Sequence, residues 1–165
     1  MKRIIIVLFF LVNMLFGYDD GVEKLYTFVG IQNGYSKYEN IDASTIGFTY
    51  GKQNKDWRTS INYNYAYMND HTYHSLIFQV DRGILIDLFQ DSLLKPYLGV
   101  AFGVMEHRKG SMHDRGALFG GAMGLNYVFN RDIDIDLGYR LMSASKLKRF
   151  NLRGDLVLSL HYYFD

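Results

Sequence analysis

The 165-residue chain contains no cysteine, one proline and one tryptophan. Without thiols it has no disulfide, no cysteine-ligated zinc or iron–sulfur site and no catalytic cysteine. The formal net charge is +1, so the chain lacks the basic excess that is typical of nucleic-acid-binding proteins. Hydrophobic residues make up 48% and charged residues 21% of the chain, which excludes a disordered protein. The composition therefore predicts one folded domain with neither disulfides nor a nucleic-acid partner.

Long apolar runs are also absent, except near the start of the chain. Two basic residues, Lys2 and Arg3, precede an apolar stretch over residues 4–16 that ends at a glycine. This order is typical of a secretory signal, and the stretch is shorter than the ~20 residues that a membrane-spanning helix requires. We expect residues 1–17 to be a cleavable signal peptide and residues 18–165 to form the exported domain.

The rest of the sequence alternates with a period of two. Ile133, Ile135 and Leu137 share one face, whereas Asp134 and Asp136 share the other, and only a strand separates two such sets. The same pattern predicts eight strands, at residues 24–36, 43–52, 57–68, 72–87, 96–106, 115–129, 132–141 and 151–164. We expect Pro96 to open the fifth strand, where its missing N–H is tolerated.

Residues typical of turns predict seven connections. They lie at 37–42, 53–56, 69–70, 89–95, 107–114, 130–131 and 143–148. No segment after residue 17 shows a sustained apolar period near 3.6, so we expect no helix there.

The two faces of these strands differ in a way that decides the class of protein. One face carries glycine, serine, threonine and asparagine with few charges, namely Arg58, Asp81, Asp134, Asp136, Arg140, Arg153, Asp155 and also His161. The other face is apolar, with aromatic residues near strand ends at Tyr26, Tyr35, Tyr50, Trp57, Tyr67, Tyr97, Tyr127, Tyr139 and Tyr162. Aromatic belts beside an apolar band are typical of transmembrane barrels. A soluble β-sandwich with the apolar face as its core is the alternative.

We therefore predict an all-β fold, an eight-stranded antiparallel up-and-down transmembrane β-barrel. Eight strands leave an interior that side chains fill, so the inward charges are expected to pair with one another. A small porin is an alternative, but an open channel needs a larger barrel.

Three segments resemble the small eight-stranded outer-membrane barrels of the OmpA/OmpX and opacity-protein type. They are residues 28–35, 96–103 and 138–140, and with the aromatic C-terminal end they extend the resemblance over residues 24–164. The resemblance implies a monomer in the outer membrane of a Gram-negative bacterium, without a cofactor. It implies lipopolysaccharide, phospholipid and the outer-membrane assembly machinery as partners. The assembly signal would be the alternating row Leu158, Leu160, Tyr162 and Phe164, which Asp165 follows here.

A basic outer rim is the main candidate binding site. With the N-terminus in the periplasm, the connections after odd-numbered strands face outward and carry Arg108, Lys109, Arg115, Lys146, Lys148 and Arg149. Such side chains hold phosphates of lipopolysaccharide or anionic host glycans by charge-assisted contacts, although charged loops are often merely solvated. We expect a non-enzymatic barrel with a role in envelope integrity or surface interaction.

An enzyme that modifies lipid A is the alternative, because small outer-membrane barrels include deacylases and palmitoyl transferases. Asp155, Ser159 and His161 share the inward face of the last predicted strand and are the catalytic candidates. A hydrogen-bonded lumen filling is the other interpretation of these residues. The five histidines lack the spacing of a ligand set, so we expect no metal.

Overall fold

The computed structural model describes residues 24–38, 41–68, 70–84, 92–145 and 151–164, and these form a closed antiparallel barrel. The fold class is thereby confirmed. The predicted signal peptide lies outside the described residues. No helix in these ranges is long and apolar enough to cross a membrane. The eight strands are β1 (Tyr26–Tyr38), β2 (Ile41–Gln53), β3 (Trp57–Met68), β4 (His71–Gly83), β5 (Leu94–Lys109), β6 (Met112–Val128), β7 (Ile133–Ser145) and β8 (Asn151–Phe164).

The barrel closes because β1 pairs with β8 as well as with β2. The β1–β8 register runs from Thr27 opposite Phe164 to Tyr38 opposite Arg153. Every strand therefore has two neighbours, and the sheet has no edge with unpaired N–H and C=O groups. A wall of this kind satisfies its backbone polar groups without water, which a hydrocarbon environment requires.

Side chains alternate between the lumen and the exterior along each strand. On β3, Asn62 and Asn64 are buried in the lumen, whereas Tyr63 and Tyr65 are exposed on the outer wall. The exposed outer wall carries large apolar side chains on every strand, for example Ile31, Phe48, Val100, Phe119 and Leu158. An apolar surface of this extent is stable when lipid covers it.

The lumen has two layers between its ends. The terminal end holds the start of β1 and the end of β8, and the hairpin end is the opposite one, where β1, β3, β5 and β7 end. An apolar layer lies toward the hairpin end and consists of Ala43, Ala66, Tyr73, Ile77, Ala101, Met105, Leu118, Met142 and Ala144. Buried polar residues fill the part toward the terminal end, including Gln32, Ser60, Asn62, Gln79 and Arg58.

The predicted connection at 107–114 is wrong, because β5 and β6 continue through most of it. Only Gly110 and Ser111 form the turn, and Gly110 has the left-handed φ of 56° that favours glycine. The strands continue as a paired ladder in which Glu106 faces the opposite charge of Arg115 and His107 faces Asp114. Residues 112–116 pair with β5 beyond the last described pair between β6 and β7, and β5 itself pairs with β4 as far as Lys109.

The predicted start of the fifth strand is also wrong. β5 begins at Leu94, so Pro96 is its third residue and faces Leu125 of β6. The carbonyl of Pro96 accepts a hydrogen bond from the N–H of Ile84 at 3.0 Å. The Pro96 carbonyl thus accepts a hydrogen bond from the residue that follows β4. The missing N–H of proline is tolerated here, because Pro96 lies near the start of its strand.

β6 and β7 approach each other closely at Gly120 but not at Gly121, so we expect alanine to lower stability at only one of these adjacent glycines. A β-carbon at Gly120 would lie 2.0 Å from the carbonyl oxygen of Leu141, whereas at Gly121 its nearest neighbour would be 3.7 Å away. We expect Gly120→Ala to destabilise the barrel by about 1–3 kcal/mol, the usual cost of overpacking. Gly121→Ala is the matched control and should leave stability unchanged.

The stability of both variants is measured by urea unfolding in detergent micelles and by heat-modifiable electrophoretic migration. Equal stability of the two variants would contradict the close approach described above.

Candidate functional site

The first candidate region is a charged network in the lumen near the terminal end, centred on Arg58. Its Nε lies 3.1 Å from Asp81 Oδ2, and its Nη2 lies 2.9 Å from Asp136 Oδ2. Gln79 donates a hydrogen bond to Asp81 at 2.9 Å. One buried cation is thus held between two carboxylates on different strands, the arrangement that buried charges require.

Tyr97 belongs to this network, and its expected place in the outer aromatic belt is wrong. Its side chain is buried in the lumen, and its hydroxyl donates to Asp136 Oδ1 at 2.9 Å. The Arg58 guanidinium lies 4.6 Å from the centre of the Tyr97 ring, a cation–π distance. Tyr97 and Gly99 are two residues apart and therefore share one face of β5. Because the sequence placed Gly99 on the inward face, its alternation already indicated that Tyr97 faces the lumen.

An arginine–aspartate ion pair and a histidine–aspartate hydrogen bond also lie in the lumen. Arg140 Nε lies 3.7 Å from Asp155 Oδ2. His161 Nδ1 lies 2.7 Å from Asp134 Oδ1, and the hydroxyl of Tyr163 also donates to Asp134. The side chain of Arg153 lies outside the described residues. All the described members of the predicted lumen network are therefore inside the barrel.

The three catalytic candidates share the lumen face of β8 but have separate partners. Asp155, Ser159 and His161 are 0%, 3% and 4% exposed, so none of them reaches the surface that lipid contacts. The carboxylate beside His161 is Asp134 of β7, while Asp155 faces Arg140. The Phe28 ring packs against His161 with centroids 4.9 Å apart. This geometry is that of a packed lumen filling.

The free space in the lumen is small. A cavity of about 90 Å³ opens at the terminal end beside Arg58, Asp81 and Tyr97, with Lys55 and Lys95 at its mouth. Deeper in the barrel, the residues around Arg58 and Arg140 leave only about 20 Å³. Within the described part of the chain, no group of three or more histidine, aspartate or glutamate residues is arranged to hold a metal ion.

The second candidate region is the outer face of the β5–β6 hairpin near its turn. Glu106 is surrounded by Arg108 Nε at 2.8 Å, His113 Nδ1 at 3.1 Å and Arg115 Nη2 at 3.5 Å. We call these four residues the Glu106 cluster. They lie beyond Val104, the last apolar outward residue of β5, and so outside the apolar band. The hydrogen bond from Arg108 lowers the pKa of Glu106, which keeps this carboxylate ionised.

The structure brings together only part of the predicted basic rim. Arg108 and Arg115 share the Glu106 cluster, and Lys109 is exposed beside them at the end of β5. Lys146, Lys148 and Arg149 lie outside the described residues. Leu158, Leu160, Tyr162 and Phe164, the predicted assembly signal, all lie exposed on the outer wall of β8.

A pair of histidines at the mouth of the hairpin end was missed by sequence reasoning. His71 Nδ1 and His107 Nε2 lie 2.9 Å apart, and the Tyr73 ring stacks on His107 with centroids 4.5 Å apart. Burial and the neighbouring His71 lower the pKa of His107. The two histidines are on different strands, so only the register of β4 against β5 brings them together.

Several solved structures of known proteins have the same fold. No protein-family model matches the chain, and no curated protein sequence matches it. Among solved structures, Neisserial surface protein A (NspA) has a TM-score of 0.69 at 18% identity and covers 88% of this chain and 100% of its own. The fold is that of the small outer-membrane β-barrels. Its apolar outer wall and closed sheet are those of a bacterial outer-membrane protein.

Other outer-membrane barrels match over similar lengths. Ail, the attachment invasion locus protein of Yersinia pestis, has a TM-score of 0.52 at 15% identity and covers 87% of this chain and 100% of its own. A structure of Ail in complex with the heparin analogue sucrose octasulfate matches with a TM-score of 0.51 at 16% identity. The outer membrane enzyme PagL has a TM-score of 0.51 at 14% identity, covering 82% of this chain and 98% of its own. The fold thus occurs in surface proteins and in an enzyme.

The lumen network predicts unequal effects for two arginines of the outer-membrane barrel. Arg58→Met leaves Asp81 and Asp136 without their shared cation, and breaking a buried pair in this way costs about 3–5 kcal/mol. Arg82→Met is the matched control, because Arg82 lies exposed on the outer wall, 5.3 Å from the Trp57 ring. An exposed contact of this kind contributes about 0.5–1 kcal/mol.

The loss of stability in each variant is measured by urea unfolding in phospholipid vesicles, followed by intrinsic fluorescence. A loss for Arg58→Met no larger than that for Arg82→Met would show that the network does not stabilise the barrel.

Proposed function

We propose that this outer-membrane barrel is a non-enzymatic monomer that binds anionic saccharides at the cell surface, with both termini in the periplasm. The turn of the β5–β6 hairpin then lies at the cell surface, where it presents the Glu106 cluster. The bound groups are phosphates of lipopolysaccharide or sulfates of host glycans. This role connects the barrel to envelope integrity and surface interaction.

The cationic excess at the end of the β5–β6 hairpin carries the proposal. Arg108 and Arg115 are two permanent cations around one carboxylate, so the Glu106 cluster keeps a positive excess. Arg115 is 77% exposed at its side chain, so its guanidinium retains donors for a ligand. Guanidinium groups bind phosphate and sulfate oxygens through paired charge-assisted hydrogen bonds. The similarity to Ail, one structure of which holds a sulfated sugar, supports the same ligand chemistry.

The packed lumen supports a role without catalysis and without a large pore. The candidates Asp155, Ser159 and His161 are enclosed by the barrel wall, where a lipid ester outside cannot meet them. The apolar layer around Ile77, Leu118 and Met142 fills the lumen toward the hairpin end. The exposed row on β8 is consistent with a signal for the assembly machinery, and the lipid-facing wall with phospholipid and lipopolysaccharide as neighbours.

Charge removal on the hairpin tests the saccharide site. The double variant Arg108→Gln/Arg115→Gln in detergent micelles should bind heparin and lipopolysaccharide about tenfold more weakly, which corresponds to ~1.4 kcal/mol. The matched control is Lys55→Gln/Lys95→Gln, which removes the same charge at the terminal end.

Isothermal titration calorimetry measures the affinities for heparin and lipopolysaccharide. The salt concentration is held fixed, because salt screens charge-assisted contacts. Unchanged binding by the hairpin variant, or an equal loss in the control, would remove the saccharide site. Appearance of deacylated or palmitoylated lipid A on expression of the wild-type chain, detected by mass spectrometry, would overturn the non-enzymatic half of the proposal.

A further inference from the structure

A groove in the outer wall lies directly beside the Glu106 cluster. It has a volume of about 540 Å³, and Leu76, Val104 and Ala117 line its apolar part. Tyr63, His74, Glu106 and Arg115 line its polar part. A volume of this size is within the range of small-molecule sites, and it lies on the surface that lipid contacts.

The register of four strands creates the groove. Leu76, Val104, Ala117 and Ser145 face one another in a row across β4, β5, β6 and β7, and the side chains become smaller from Leu76 through Val104 to Ala117. The next outward row toward the terminal end is Phe78, Phe102 and Phe119. The next row toward the hairpin end is His74, Glu106 and Arg115. A shallow row therefore runs between three large rings and three polar side chains.

The groove lies where an outer leaflet changes from acyl chains to head groups. On its terminal side the wall carries phenylalanine, which hydrocarbon favours, and on its hairpin side it carries charge, which hydrocarbon excludes. A molecule that fits both parts has an apolar chain and an ionic group a few ångströms apart. Lipids have this construction.

The polar part of the groove selects an anionic head group. Arg115 keeps donors beyond its 3.5 Å contact with Glu106, and that carboxylate is already bound by Arg108 and His113. The Tyr63 hydroxyl lies 2.8 Å from His74 Nδ1; a hydroxyl that donates there leaves the histidine proton on Nε2 as another donor. Arg115 and His74 thus complement the phosphate of a membrane lipid.

We propose that this groove binds one molecule of a phosphorylated lipid, the lipid A part of lipopolysaccharide, with an acyl chain along Val104 and Ala117 and a phosphate at Arg115. The inference rests on the proposed orientation, which places the hairpin end in the outer leaflet. It adds a site on the barrel wall to the saccharide site near the turn of the β5–β6 hairpin. The two sites share Arg115, and the acyl-chain part belongs to the groove alone.

Filling the groove tests the proposal without removing any charge. Ala117→Phe extends the row of rings into the shallow row, and Gly121→Phe adds the same ring on the same outward face of β6 outside the groove. Each variant is reconstituted in phosphatidylcholine nanodiscs that contain a small fraction of lipid A, phosphatidylglycerol or dephosphorylated lipid A. Native mass spectrometry then counts the lipid that the barrel retains.

We expect the wild-type chain and Gly121→Phe to retain one lipid A, and Ala117→Phe to retain at least tenfold less. Dephosphorylated lipid A should be retained at least tenfold less by the wild-type chain. Equal retention by Ala117→Phe and Gly121→Phe would overturn the groove, and equal retention of phosphatidylglycerol would overturn the assignment to lipid A.

Heparin binding separates this proposal from the saccharide site. Ala117→Phe keeps every charge of the Glu106 cluster, so its affinity for heparin should equal that of the wild-type chain. Loss of lipid A with normal heparin binding supports the groove, whereas normal lipid A retention with normal heparin binding overturns the groove and leaves the saccharide site intact.

Discussion

The pairing of β1 with β8 is the constraint on which the rest of the barrel depends. Hydrocarbon offers no hydrogen-bond partners, so a sheet with a free edge would leave backbone groups unsatisfied there. Closure removes the edge and fixes Thr27 opposite Phe164 and Tyr38 opposite Arg153. Because a shift of one residue would exchange the two faces of a strand, the closed register also determines which side chains enter the lumen.

Closure creates two environments that select residues in opposite ways. The outer wall meets lipid and carries apolar side chains, whereas a charge that is buried in the narrow lumen requires an opposite charge beside it. Arg58 between Asp81 and Asp136 meets this condition near the terminal end, and an apolar layer fills the lumen toward the hairpin end. Above the lipid-facing wall, the β5–β6 hairpin is polar on its outward face because water surrounds it. The Glu106 cluster and the groove lie at the boundary of these environments.

Alternation along single strands predicted much of this arrangement. Arg58, Asp81, Asp134, Asp136, Arg140, Asp155 and His161 all face the lumen, as a period of two required. Tyr97 was placed outside because of its residue type, although its alternation with Gly99 indicated the lumen. The strands through 107–114 were missed for a related reason. Polar residues were interpreted as a turn, but a hairpin that has left the membrane is polar and still paired.

The sequence by itself determined the number of strands, their order and the face of most side chains, because alternation is a local property of each strand. The partners of those side chains were decided only by the tertiary structure. His161 meets Asp134, Arg58 meets Asp136, and His71 meets His107, in each case across strands whose separation in sequence hides the contact. The groove has the same origin, since Val104 and Ala117 form one row only in the register of β5 against β6. Register is a property of the closed sheet, and no single strand contains it.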